Sequence, residues 1–559
     1  MSGRSRLLHR STQATMRFEE LLSEVGGFSW FQLRIVLLLC IPRIILPFHF
    51  LLHNFISAVP SHRCALYPSE NASTFYTDAE KLKGSIPREA DGSLSSCRAF
   101  LPQQSTNTSE GPSALLPCQY GWVYDKSQMT STTATEWDLV CDNKTQNQVL
   151  ATYFFIGVTL GAIIFGYCSD KFGRKAMLLV SLVASAIFGT MSAFSVSYVM
   201  FAVTRTLCGV ALTGMSIICI VLSLEWIDVK HRTFTGTIIG LSWTMGSMLL
   251  ALVAYFIRDW RHLLLAVTSP CILAIISWWW IPESVRWQVT NRQITKAHKQ
   301  LLNCAKMNGK HQFASSLTTE TVSKITFAED SIQNYSYVHL VKTPKMRRLV
   351  FCSGIVWFGV ALSYYGISLK ISGFGVNIYL TQFIYGAIEV PAKCATYFAL
   401  NKIGRRKGQA WSLIITGILI GLNTLIPAEQ GWIRTFIAVL GKGFSEASFT
   451  IAFLYTAELF PTVLRQSGLG YTSFMGRMGV SLAPLVIILE DIWSSLPSAI
   501  FSTAAILCGC TTFLLSETHN FRLPETVADV EQDKHKVDQD IQEEINGIPM
   551  NSVIQSELL

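Results

Sequence analysis

The sequence predicts an all-α polytopic membrane protein, with twelve transmembrane helices arranged as two six-helix halves. Three observations carry that expectation. Windows of about 20 apolar residues recur along the chain, each long enough to cross a bilayer. Of the 559 residues, 50% are hydrophobic and only 15% are charged, which is too little charge for a soluble globular chain. A glycine-and-basic motif also recurs at the same place in each half: Gly166-Tyr-Cys-Ser-Asp-Lys-Phe-Gly-Arg-Lys after the second apolar run, and Asn401-Lys-Ile-Gly-Arg-Arg-Lys after the eighth. Such spacing marks an internal repeat.

In chain order, residues 1–30 read as a cytoplasmic lead with Arg4, Arg6, Arg10 and Arg17. The lead is polar where a cleavable signal peptide would be apolar. The run from Phe18 to Val25 has the pattern of a short amphipathic helix at the membrane interface. The N-terminal half, 31–281, opens with a span over about Gln32–Ala58, which Pro42 and Pro47 should bend.

An extracellular insert, 59–146, follows. It holds Cys64, Cys97, Cys118 and Cys141, an even set that predicts a disulfide framework with three possible connectivities. Asn71 and Asn107 are glycosylation acceptors in the same insert. Five runs, near 148–168, 176–197, 199–224, 233–256 and 262–281, complete the half. A cytoplasmic linker, 282–346, leads to the C-terminal half, 347–515, with six further runs. The tail, 516–559, ends acidic and is expected to be disordered.

Loop charge sets the orientation. Lys171, Arg174 and Lys175 share one short loop, Lys230 and Arg232 a second, and Lys402, Arg405, Arg406 and Lys407 a third. When spans alternate, all three lie on the side of both termini and the linker. By the positive-inside rule that side is cytoplasm. The net charge of +8 is concentrated in these loops, so the expected partner is the lipid bilayer and not nucleic acid.

Two cations inside apolar runs stand out. Arg477 sits mid-span, where an arginine costs about 2.5–3.5 kcal/mol on insertion scales and cannot shed its proton. It therefore faces either an acid on another helix or an organic anion. Lys393 lies in the eighth run, roughly 12 Å from the cytoplasmic end against roughly 18 Å for Arg477, so one anion could touch both. Glu389, four residues before Lys393, offers it a local ion pair instead. His49 in the first run is either pocket-facing or a helix-packing group.

The paired loops resemble the major facilitator superfamily. Narrower motifs resemble its organic ion transporter family, and within it the organic anion transporters: Thr135-Glu-Trp-Asp-Leu-Val-Cys, Pro282-Glu-Ser-Val-Arg-Trp and Glu458-Leu-Phe-Pro-Thr-Val-Leu-Arg-Gln-Ser-Gly. The match runs from Met16 to about Thr526, which leaves residues 1–15 as an extension or an upstream start. The resemblance implies the major facilitator fold, a plasma-membrane location that is basolateral in polarised epithelium, and no cofactor. It assigns anion transport to Arg477 and Lys393, with an acidic group at the Arg477 position in cation-carrying relatives. It places Tyr364, Tyr365, Phe449 and Phe453 at pocket positions, with Trp357 beside them. Phe50 stands where several relatives have asparagine, which should dry the pocket, and Lys370 stands where they tend to have aspartate, either to steer anions inward or as a solvated loop lysine.

Asp170, Arg174, Glu225, Arg232, Glu458 and Arg465 sit at cytoplasmic helix ends, as ion pairs of an inner gate. No zinc-protease motif, nucleophile elbow or phosphate loop is present, and the cysteines lack metal-ligand spacing. The expectation is therefore not an enzyme but an alternating-access uniporter or exchanger of small organic anions, with a dicarboxylate as a possible counter-anion. Implied substrates are purine nucleotides and nucleobases, orotate, dicarboxylates and prostaglandins. The alternative is an organic cation or zwitterion carrier of the same fold.

Overall fold

The computed structural model describes residues 18–68, 85–88, 94–100, 115–323, 337–370, 377–427, 429–461, 463–519, 524 and 527–531. Asn71 and Asn107 lie outside the described residues.

Helices follow the apolar runs because a bilayer leaves no other partner for backbone amides. In the N-terminal half, span 1 is Trp30–Phe50, span 2 Lys144–Phe172, span 3 Arg174–Ala193, span 4 Tyr198–Glu225 and span 5 Arg232–Phe256. Span 6 is Trp260–Trp278, with a joint before Pro270. In the C-terminal half, span 7 is Pro344–Leu369, span 8 Ile378–Ile403, span 9 Arg405–Leu425, span 10 Gly431–Leu459, span 11 Arg465–Ile488 and span 12 Leu496–Thr512. Among the described residues, ten stretches qualify as membrane-crossing on length and apolarity alone. Of the other two, span 8 carries Glu389 and Lys393 inside it and span 12 has only 17 residues.

The expected repeat is visible as two matching corners. Span 2 turns into span 3 at Gly173, φ +99°, and span 8 into span 9 at Gly404, φ +84°. A side chain at either glycine would be strained by that backbone and would also strike a carboxylate. A Cβ on Gly173 would fall 2.6 Å from Glu283, and one on Gly404 2.8 Å from Glu517. Each carboxylate accepts the first backbone N–H groups of the following span: Glu283 from Arg174 and Lys175, and Glu517 from Arg405 and Arg406. Helix N-termini present unpaired N–H groups and a positive dipole end, so each acid caps the span that follows its glycine.

The described residues of the insert form two small antiparallel sheets. Strand β1, His62–Cys64, pairs with β4, Trp122–Tyr124, and β2, Arg98–Phe100, with β3, Leu115–Pro117. Of the three connectivities, the disulfides are Cys64–Cys118 and Cys97–Cys141. His62 lies near Cys97 and Cys141, but both sulfurs are in the disulfide and neither is a free thiolate.

Two expectations change. The helix Phe18–Glu24 turns its apolar residues inward onto protein. Its Leu21 and Leu22, with Val25, are buried in one cluster with Ala297, Leu301 and Cys304 of the linker helix Ile294–Met307. Asn308 fastens the two by donating to Val25 O and accepting from Phe31 N. The tail is also not disordered from its start: Glu517 caps span 9, and Lys345 meets the short helix Val527–Glu531 through Glu531.

The halves meet along spans 2 and 11 and along spans 5 and 8. They are fastened at the face that bears the insert. There Lys144 pairs with Asp491 at 2.6 Å, Asn54 donates to Ser368 O at 2.8 Å, Gln382 donates to Ser247 at 3.0 Å, and Phe55 stacks on Tyr379. At the opposite face, described ion pairs within the halves join Arg174 to Asp170 and Glu225, and Arg405 to Glu458. Glu225 and Glu458 thus take partners on the Gly173 and Gly404 corners, while Arg232 and Arg465 lie close enough to repel each other.

Candidate functional site

Span 8 presents Glu389 and Lys393, and span 10 presents Lys442 and Glu446. Four-residue spacing puts each pair on one helix face, and the two faces meet. Glu389 pairs with Lys442 at 3.2 Å and with Lys393 at 3.4 Å. Lys393 also reaches Glu446 at 3.1 Å. Tyr364 O–H donates to Glu389 Oε1 at 2.7 Å and Thr244 O–H to Oε2 at 2.8 Å. Lys442 Nζ donates to Ser368 Oγ at 2.8 Å and stands over the Tyr364 ring. Lys393 Nζ crosses to the other half and donates to Thr244 Oγ1 at 2.6 Å and Gly240 O at 3.3 Å. The cluster is charge-neutral as a whole and buried, the condition under which ions are tolerated in an apolar bundle.

The arginines are placed differently. Arg477 on span 11 donates only a long bond, 3.5 Å, to Val158 O across the seam, and its Nε is buried without a partner. Arg43 on span 1 donates to Ser216 Oγ at 3.1 Å, and its Nε is likewise without a partner. Tyr365 stands within electrostatic reach of both. More than six residues inside either end of a span, the described residues include five cations, Arg43, Arg205, Lys393, Lys442 and Arg477, against two acids, Glu389 and Glu446.

An aromatic ribbon joins the two regions. Trp357 packs edge-on to Phe449 and Phe453, with ring centres 5.6 and 4.9 Å apart. Phe449 continues to Tyr364, Tyr364 to Tyr365, and Tyr365 to Phe155 of the other half. Trp357 is fixed by donating Nε1–H to Thr456 Oγ1 at 2.7 Å, whereas Phe453 is half exposed. Ligand sites are built this way, with apolar walls and a few placed polar groups.

The structure thus brings Arg477, Lys393, Tyr364, Tyr365, Phe449, Phe453 and Trp357 to one seam. Phe50 lies deeper in the N-terminal half, buried against Phe154, Phe155 and Trp243. His49 is fully buried and held by Arg205. Lys370 is paired with Glu490 at 3.2 Å, so its charge is locally balanced. Sequence reasoning missed Lys442 and Glu446, although they repeat the four-residue spacing of Glu389 and Lys393. It also missed Arg205, an arginine well inside the fourth apolar run.

The family profile described as "Sugar (and other) transporter" matches residues 99–528. Solute carrier family 22 member 7 of Homo sapiens is 49% identical over 531 residues, covering 92% of this chain and 96% of that protein. Solute carrier family 22 member 6 of Danio rerio is 40% identical over 530 residues, covering 92% and 94%. The inward-open xylose transporter XylE of E. coli superposes with a TM-score of 0.57 at 16% identity, covering 88% of this chain and 98% of that one, a likeness of fold. The chain therefore belongs to the organic anion transporters of solute carrier family 22, membrane transporters with the major facilitator fold.

Proposed function

We propose that this protein moves small organic anions across the plasma membrane by alternating access, as a uniporter or exchanger, with both termini in the cytoplasm. The observation that carries the reading is the excess of buried cations over acids, and in particular Arg477, whose guanidinium lies beside the aromatic ribbon with one carbonyl contact. An uncompensated charge in a membrane bundle calls for a counter-ion. Here the counter-ion is the substrate's anionic group, while its ring lies along Tyr364, Tyr365, Phe449 and Trp357. Aromatic anions of the nucleotide, nucleobase and orotate kinds fit that division, and a dicarboxylate is suited to be the exchanged partner.

The halves rock about the seam. The arrangement described here is latched at the insert face, so the opposite side is the one that opens. Loop charge and the disulfide-bonded insert both support placing the insert outside the cell.

The test is uptake of paired anionic and cationic aromatic probes into cells expressing wild type, Arg477→Ala and Arg477→Asp. Both variants should lose anion uptake by about 100-fold or more, the scale of removing one partner from a buried charge pair. Anion uptake that survives both changes, or wild-type uptake of cations alone, overturns the reading.

A further inference from the structure

Arg205 and His49 form a second polar centre, buried within the N-terminal half. Arg205 lies on span 4 and is 4% exposed, and His49 lies on span 1 and is 0% exposed. Arg205 Nη1 meets His49 Nδ1 at 3.3 Å, and Nη2 donates to His49 O at 3.1 Å. A guanidinium can only donate, so Nδ1 is the accepting nitrogen and the ring hydrogen is on Nε2. That N–H is buried and has no acceptor. No carboxylate pairs with Arg205 among the described residues. The centre therefore carries one full positive charge and one orphaned donor, in a medium where each is expensive alone.

Both groups line a small cavity together with His53, Phe154, Phe155 and Phe201. The cavity holds about 10 Å³, close to the room one water-sized particle needs and far below that of an organic anion. The Arg205 guanidinium also lies over the Phe154 ring, 4.5 Å from its centre. Phe155 and Phe201 complete an apolar wall suited to a bare, weakly hydrated anion. We propose that this cavity is a halide site, occupied by chloride, in which the ion accepts His49 Nε2–H and neutralises Arg205. The site would tie span 1 to span 4 and is independent of the Arg477 reading.

The test uses purified full-length protein in detergent. Sodium gluconate is exchanged for sodium chloride or bromide at constant ionic strength, and Tm is followed. Binding to the folded state alone raises Tm with saturation; a rise of about 3 °C or more by 150 mM halide is expected, with gluconate inert. His49→Met should lose the halide response, and Arg477→Met should keep it. A flat wild-type response overturns the proposal. So does a response that persists in His49→Met, or one lost in Arg477→Met but kept in His49→Met, which would put the halide at the seam. Should His49→Met not fold, an anomalous bromide peak in wild-type crystals decides: within hydrogen-bond reach of His49 Nε2 it supports the site, and elsewhere or absent it overturns it.

Discussion

The bundle holds buried charge in two regions and treats it in opposite ways. Between spans 5, 8 and 10, Lys393 and Lys442 face Glu389 and Glu446, and hydroxyls from Tyr364, Thr244 and Ser368 fill the remaining positions. Around Tyr365, Arg43 and Arg477 have a hydroxyl and a carbonyl between them and keep orphaned Nε atoms. Burial and aromatic neighbours are common to both regions, so neither separates them. What separates them is compensation. The first region balances its charge within the protein and links spans across the seam. The second leaves its charge without an acid among the described residues. A cation inside a membrane protein is therefore better read from its partners than from its depth.

The largest expected effect comes from unbalancing the neutral region. Lys442→Met strands Glu389 with half of its counter-charge, and breaking a buried pair from one side costs about 3–5 kcal/mol. Tm of the purified protein should fall accordingly. Adding Glu389→Gln to Lys442→Met leaves one lysine facing one glutamate, Lys393 with Glu446, and should recover most of the loss. If Lys442→Met is as stable as wild type, the cluster is not the compensated unit described here.

Removing an arginine from the other region should act with the opposite sign. Arg477→Met deletes a charge that has no acid and replaces it with a side chain of similar length, so stability should rise by about 1–2 kcal/mol as anion uptake is lost. This is the trade-off expected where a site is strained for function. Thermal unfolding of wild type and variant checks it. A fall in Tm would show that the guanidinium has a structural partner after all. Arg43→Met should move the same way by less, because Arg43 already has Ser216.

Much of this contrast was legible in the sequence. The spans follow from runs of apolar residues, and the repeat from Gly173 and Gly404. Arg477 announced itself because arginine has no neutral form to retreat to. Lys393 was found with its partner because Glu389 lies one helical turn away, a local relation. Its second acid, Glu446, comes from another helix 53 residues on, and nothing local to Lys393 points to it. The same spacing rule applied to span 10 would have flagged Lys442 and Glu446 as a pair, though not that the two pairs interlock. Disulfide pairing and the docking of Leu21 and Leu22 on the linker helix depend on tertiary contact in the same way. The caps Glu283 and Glu517 lie more than 100 residues from the helix ends they serve, and only their matched positions after spans 6 and 12 hint at a shared task.

Those caps carry the contrast between compensated and exposed charge outside the membrane, at smaller amplitude and with a pH signature. At Glu283 burial is the largest influence and raises its carboxyl above the ordinary value, despite the backbone N–H groups of Ser284, Lys175 and Arg174. At Glu517 burial pushes upward too, but N–H groups from His519, Arg405, Thr518 and Arg406 outweigh it and hold the carboxyl below 4.5. The signs then differ. Ionised Glu517 stabilises the fold at neutral pH, and that support is lost as pH falls through its lowered value. Ionised Glu283 opposes the fold above its raised value, and the penalty is relieved as pH falls through that value toward 4.5. Near pH 7, Glu517→Gln should cost about 1 kcal/mol, the scale of a charge at a helix N-terminus, and Glu283→Gln should be neutral or slightly stabilising. Unfolding of both variants against wild type from pH 7 to pH 4 checks this. The Glu517 difference should close only at the acid end, and the Glu283 difference should close earlier. Equal pH responses would mean that the two corners, alike in backbone and in donor geometry, are alike in electrostatics as well.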